Sequence, residues 1–290
     1  MLLVYFVWGS TYLAIRVAVR EGAGFPPFTM ALMRVAVAGS ILLFVAKLRG
    51  RSLHIRRREF RVLFGSGLLL WTGGNGLVTL AEQDANSGMA ALIVATVPIW
   101  TAIISALVDR RWPSRGLIIS LLIGFAGIGV LSFPVLRSGL QADILSTLLL
   151  IGSSISWAAG TIWQVRNPLP EDFSVQVSAA YQMYAGGVGF VVLVLLTGEP
   201  LPTPTVQAWM AWGYLVVFGA VLAYTAFVSA LRQLPTSVVM TYPYVNPVVA
   251  LILGALILQE EITVWTLAGS SLILLGVAGV FRSRSYTEGL

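Results

Sequence analysis

Residues 87–108 read SGMAALIVATVPIWTAIISALV, 22 positions without one charged side chain. In a helix, at about 1.5 Å per residue, that run crosses the ~30 Å hydrocarbon core of a bilayer. It is too long and too continuously apolar for the alternating strand of a membrane β-barrel. Residues 236–258, TSVVMTYPYVNPVVALILGALIL, form a second uncharged run. The two align at a proline, Pro98 in one and Pro247 in the other, 149 positions apart.

Outward from these runs, ten segments qualify as spans: 2–20, 28–48, 60–81, 87–108, 115–133, 142–164, 174–196, 206–231, 236–258 and 264–281. The connections leave no room for a soluble domain. Composition agrees: 57% of the 290 residues are hydrophobic and 10% charged, against about 25% charged in a soluble domain. Mean hydropathy is +0.87. A soluble, disordered or coiled-coil chain is therefore excluded. The basic balance, net +6, sits in short loops and does not point to nucleic acid. With no cysteine there is no disulfide or thiolate chemistry. The single histidine, His54, lies in a basic loop, so no metal centre and no cofactor are expected. Met1 leads straight into the first span, so no cleavable signal peptide is expected, and the native chain is expected to have begun earlier.

Lys and Arg set orientation. Seven lie between spans 2 and 3, among them Lys47 and Arg56 to Arg58; three lie between spans 4 and 5. Arg166, Arg232, Arg282 and Arg284 fall on the same side. The opposite side has Arg20 and Arg137, with the acids Glu82, Asp84, Glu199, Glu260 and Glu261. Both termini are expected to be cytoplasmic.

The 149-residue register also relates Trp8 to Trp157, Ala81 to Ala230 and Ala106 to Ala255. Five spans per half is an odd number, so the second copy enters the membrane inverted, as in many secondary transporters. The expected fold is an all-α polytopic membrane protein of ten helices in two inverted five-helix repeats, divided as 1–135 and 136–290.

Leu80-Ala81, Ala90-Ala91-Leu92-Ile93, Pro98, Ala102 and Asp109 resemble the first-half signature of the EamA-like drug/metabolite transporters. Ser229-Ala230, Pro247, Ala250, Gly254, Glu261, Gly269, Gly276 and Gly279 resemble the second. Trp8-Gly9-Ser10 with Arg16, and Arg34, are similar to that family's first two helices. Asp109 is followed by Arg110-Arg111, a departure from the family's usual glutamate context. The resemblance covers essentially the whole chain. It implies a bacterial inner-membrane transporter with helices 1–4 and 6–9 around a central cavity. The aromatic-rich helices resemble most the amino-acid exporter branch that includes YddG.

Candidate cavity residues follow from polar and aromatic groups too deep for an interface belt. Trp71, Asn75 and Thr79 fall on one face of span 3 at a spacing of four. Trp100 follows Pro98 in span 4; Tyr244 and Asn246 lie between Pro243 and Pro247 in span 9, where missing N–H groups break a helix and free carbonyls. Trp157 and Trp163 in span 6 and Gln182 in span 7 complete the set. Amides and aromatic walls suit a neutral or zwitterionic small molecule, with an ammonium held over a ring face. Interhelical hydrogen bonding or plain packing competes with a cavity role at each of these positions. Arg16, Arg34 and Glu82 share the outer half as a gate or ion pair. No acid falls mid-span on these boundaries, so transport without tight proton coupling is expected; Glu82 and Glu261 are the end-of-helix acids whose pKa would rise if packed deeper. The glycine runs 73–76, 124–129 and 186–189 fall inside spans and after no strand, which argues for close packing and against a nucleotide loop. Partners are then a small-molecule substrate and membrane lipid, with no nucleic acid. An organic-cation exporter would want a buried carboxylate, and a membrane-embedded enzyme a buried His, Asp pair or metal.

Overall fold

The computed structural model describes residues 1–110, 114–138, 141–234, 236–239 and 242–285. Their regular structure is entirely helical: α1 (Leu2–Val19), α2 (Pro27–Leu48), α3 (Arg57–Ala81), α4 (Ser87–Val108), α5 (Arg115–Ser138), α6 (Gln141–Arg166), α7 (Val175–Thr197), α8 (Val206–Gln233), α9 (Thr236–Val239 and Tyr242–Leu258) and α10 (Val264–Ser285). Seven are long and apolar enough to cross a membrane; α5, α9 and α10 carry shorter apolar stretches. The ends fall within a few residues of expectation. α3 starts three residues early because the Glu59 carboxylate reaches back and accepts the Arg56 backbone N–H at 2.7 Å, which lets charged residues open the helix.

The inverted repeat is visible in the packing. α1 lies on α9 as α6 lies on α4; α1 meets α8 as α6 meets α3; α2 meets α8 as α7 meets α3. The pairs α2–α7, α4–α9 and α5–α10 each bridge equivalent helices of the two halves. Eight helices thus surround the centre, and α5 and α10 pack along each other at the edge, α10 touching α4 and α5 touching α6. Backbone detail keeps the same register. Arg110 and Gln259, 149 apart, close α4 and α9 with left-handed φ of 52° and 54°. α3 and α8 each contain a π-helical stretch, Leu68–Asn75 and Leu215–Tyr224, whose last residues are again 149 apart.

The prolines divide in their effect. α4 is interrupted at Ala95 and Thr96, and Pro98 lies in the first turn of its second piece, where a missing N–H costs nothing. Pro243 likewise lies at the start of Tyr242–Leu258. Pro247 does not break its helix, contrary to expectation. It lies only four residues after Pro243, so its missing N–H frees a single early carbonyl and the helix continues through it. In the 186–189 run a Cβ on Gly186 would lie 2.2 Å from the Trp71 Cβ, so α7 can approach α3 only with glycine there.

Loops expected on one side do meet. On the side expected to face outward the Glu199 carboxylate accepts the Phe28 N–H (2.8 Å) and the Thr29 N–H and hydroxyl (both 2.7 Å) at the start of α2. Glu260 accepts the Ser87 N–H (3.0 Å) and hydroxyl (2.8 Å) at the start of α4. Carboxylates belong at helix N-termini, where four N–H groups lack helical partners. On the inner side Arg166 pairs with Asp109 at 2.7 Å and the Tyr181 hydroxyl donates to the Leu53 carbonyl.

Candidate functional site

A cavity lies between the two halves. Trp8, Thr11, Tyr12 and Ile15 of α1 form one wall; Trp71, Gly74, Asn75 and Val78 of α3 face it. Arg34, Val94, Ser153, Trp157, Gly219, Tyr224 and Tyr242 complete the lining from α2, α4, α6, α8 and α9. Its volume, about 60 Å³, holds a handful of waters. The helices must part to admit anything larger.

The aromatic residues hold each other in place. Trp8 and its repeat mate Trp157 meet edge to face at 5.4 Å, and Trp8 and Tyr242 at 5.2 Å. Trp71 and Tyr224 lie 4.8 Å apart. The π-helical stretches contribute carbonyls: the Trp8 indole donates to Gly219 (3.3 Å) and the Ser153 hydroxyl to Gly74 (2.7 Å). π-helical turns leave such groups available and are frequent at functional sites. Arg34, 2% exposed, donates from Nη1 to Asn75 Oδ1 at 3.3 Å and stands 5.3 Å over the Trp71 ring. Its Nε is buried with no hydrogen-bond partner among the described residues, and the buried indole N–H groups of Trp71 and Trp157 have only the Tyr224 and Tyr242 hydroxyls beside them.

Of the residues expected to line a cavity, Trp71, Asn75 and Trp157 do, and Arg34 joins them. Thr79 does not; its hydroxyl turns back to the Asn75 carbonyl at 2.8 Å. Trp100 donates to the Thr96 hydroxyl and packs on Phe125, on the far side of α4. Trp163, 44% exposed, lies at the inner end of α6 beside Gly65. Gln182 is wholly buried in a network below the cavity: it donates to Ser66 Oγ (2.7 Å) and Gln164 Oε1 (2.9 Å) and accepts from the Tyr224 hydroxyl (3.0 Å). Asn246 packs against α1, its amide nitrogen donating to the Tyr5 carbonyl at 2.8 Å and the Tyr242 carbonyl at 3.2 Å. The Tyr244 side chain lies outside the described residues.

Spacing by four along one helix does not separate a cavity face from a packed one, which is why five of the eight described candidates lie off the cavity lining. Trp8, Thr11, Tyr12 and Ile15 were missed. Their spacing of three and four marks one face of α1, a signal present in the sequence. Tyr224 was missed too, although it is the repeat mate of Asn75.

The outer layer also departs from expectation. Arg16 does not pair with the Glu82 side chain. Its Nη1 donates to the Glu82 and Gln83 main-chain carbonyls, at 2.9 Å to the first, and so caps the end of α3. Glu82, the residue after α3, is 0% exposed. Burial pushes its carboxyl well above the ordinary carboxylate range, and neighbouring Glu260 adds to this while Arg16 and Arg34 oppose it. Glu82 thus lies at a helix end, as expected, and is packed deeper there, beside Arg16 of α1 and Glu260 of the α9–α10 connection.

The EamA-like transporter family model matches residues 1–133 and 144–282. The chain is 37% identical over 254 residues to the inner membrane transporter YedA of Escherichia coli K12, described as uncharacterized, covering 87% of this chain and 79% of that one. It is 26% identical over 288 residues to the uncharacterized transporter YvbV of Bacillus subtilis, covering 96% and 89%. A solved crystal structure at 18% identity superposes with a TM-score of 0.69 over 98% of this chain and 96% of that one, which speaks to the fold alone. The chain is therefore an integral membrane transporter, not an enzyme, and it belongs to the EamA-like transporter family.

Proposed function

We propose that the protein exports amino acids, aromatic or neutral, and related small metabolites across a bacterial inner membrane. Residues 1–135 and 136–290 would rock about the central cavity to expose it alternately to each side, with the termini cytoplasmic. The supporting observation is the buried guanidinium on the cavity wall: Arg34 Nε has no hydrogen-bond partner among the described residues. A buried donor wants an acceptor. A substrate carboxylate at Arg34 supplies one, and the rings of Trp8, Trp157 and Tyr242 offer faces for an ammonium or an aromatic side chain. The resemblance to amino-acid exporters points the same way. A cationic substrate without an acid group fits poorly beside Arg34.

The experiment is counterflow in proteoliposomes with a labelled panel of amino acids, their decarboxylated amines and their amides. Amino acids should exchange and the amines should not. Exchange of the amines at equal rates would remove the carboxylate from the recognition.

A further inference from the structure

We propose that Glu82 is a proton-binding site: its carboxyl carries a proton while the outer layer is closed and releases it to outside water when that layer opens. This goes beyond the choice of substrate and does not depend on it.

The placement carries the argument. Glu82 is 0% exposed and neither side-chain oxygen has a hydrogen-bond partner among the described residues. It follows α3 directly, where the negative end of the helix dipole disfavours a carboxylate. A structural ion pair would have taken the nearest guanidinium. Arg16 of α1 instead spends its N–H groups on the Glu82 and Gln83 carbonyls, and Arg34 of α2 is engaged by Asn75 Oδ1. The other titratable groups that act on its carboxyl are Tyr12 of α1 and Glu260 of the α9–α10 connection. Glu260 is committed to the start of α4 and adds negative charge. Asp84, two residues on, is exposed; the outer halves of α4, α7 and α8 bring no charged residue, and that of α6 brings Asp143 alone, in its first turn. An ionised carboxylate buried without a hydrogen bond is far costlier than the neutral acid.

The site also roofs the cavity. Val78, one turn earlier on α3, lines it, as do Tyr12 and Arg34. Opening the outer layer lets water reach the carboxyl. The O–H bond then breaks, the proton passes to water, and the carboxylate that remains is solvated and faces Arg16 and Arg34. Closure needs the proton back, so each closure takes up one proton and each opening yields one.

The test uses the full chain, whose lack of cysteine makes Val78→Cys the single thiol. Infrared spectra of the wild type at neutral pH should contain a protonated-carboxyl C=O band that is missing from Glu82→Gln and disappears at alkaline pH. A small charged thiol reagent added from outside to the Val78→Cys protein then reads the opening. Its reaction rate divided by that in the Glu82→Gln background, which cancels thiol ionisation, should rise about tenfold or more across the pH at which the band disappears. Glu82→Asp should keep a titrating band at a shifted frequency, and it assigns the band should Glu82→Gln fail to fold. A neutral-pH spectrum without a band that responds to either substitution overturns the proposal. So does a thiol rate ratio flat in pH, since the proton would then be bound without regulating the opening.

Discussion

Gln182→Leu should loosen the inner side of the bundle. Gln182 joins Ser66 of α3, Gln164 of α6 and Tyr224 of α8 through three hydrogen bonds, so the inner ends of those helices cannot part while it is satisfied. Leucine keeps most of the volume and removes every bond. Ser66 loses least, because its hydroxyl still donates to the Val62 carbonyl at 2.7 Å. The Tyr224 hydroxyl and Gln164 Oε1 are left unpaired. Two stranded buried groups cost ~1–3 kcal/mol each, while interhelical bonds within membranes average about 0.6 kcal/mol. Both groups regain water when the inner side opens, so the cost falls on the closed state. Taking about 2 kcal/mol, the open fraction should grow roughly 30-fold. Ser178→Cys provides the probe: it is buried on α7, one turn inward from Gln182, and nearly isosteric. Its reaction with a charged thiol reagent added from the cytoplasmic side should accelerate in proportion. An unchanged rate, in protein whose melting shows it is folded, would mean the network packs helices without sealing anything.

In detergent, the stability contributed by Glu82 should be full below pH 4.5, the ordinary carboxyl value, and should be lost as pH rises through the raised value of the folded protein. The folded protein holds a proton there that the unfolded chain has released. Melting curves of Glu82→Gln should lack that component of the slope. Gly219→Ala would place a methyl 2.9 Å from Arg34 Nη2 and 3.0 Å from Thr11 Cγ2. Overpacking of that kind costs about 1–3 kcal/mol, so counterflow should drop roughly tenfold or more while membrane insertion is retained. Asp109→Asn breaks an ion pair whose side chains are 44% and 40% exposed. It should change stability by at most about 1 kcal/mol and leave transport rates unaltered.

The helices were legible because span length, loop charge and the 149-residue register are all one-dimensional. A run such as 87–108 has no other stable state in a bilayer, and inversion follows from counting spans. The cavity was legible only in part. Asn75 and Trp157 sit at mid-span, where depth alone marks them. Gln182 carries the same amide chemistry, yet faces a network made by residues from three other helices, and no local pattern encodes that. The π-helical stretches turn Gly74 and Gly219 toward the centre; LLLWTGGN and LVVFGAVLAY carry no signal for an extra residue per turn. Glu82 reads as solvated in the sequence because its burial comes from loops distant along the chain.

The paired π-helical stretches set a rule for aligning this chain with its relatives. A π turn holds about one residue more than an α turn. A relative with plain α-helix at the same depth would need a one-residue gap inside a membrane span, a place where alignments usually forbid one. Forcing the gap out to the nearest loop would rotate every intervening position by about 100° around the helix. Tyr224 and Asn75 would then each be matched to a position on another face of the helix, and a comparison of cavity chemistry would compare the wrong side chains in both halves at once.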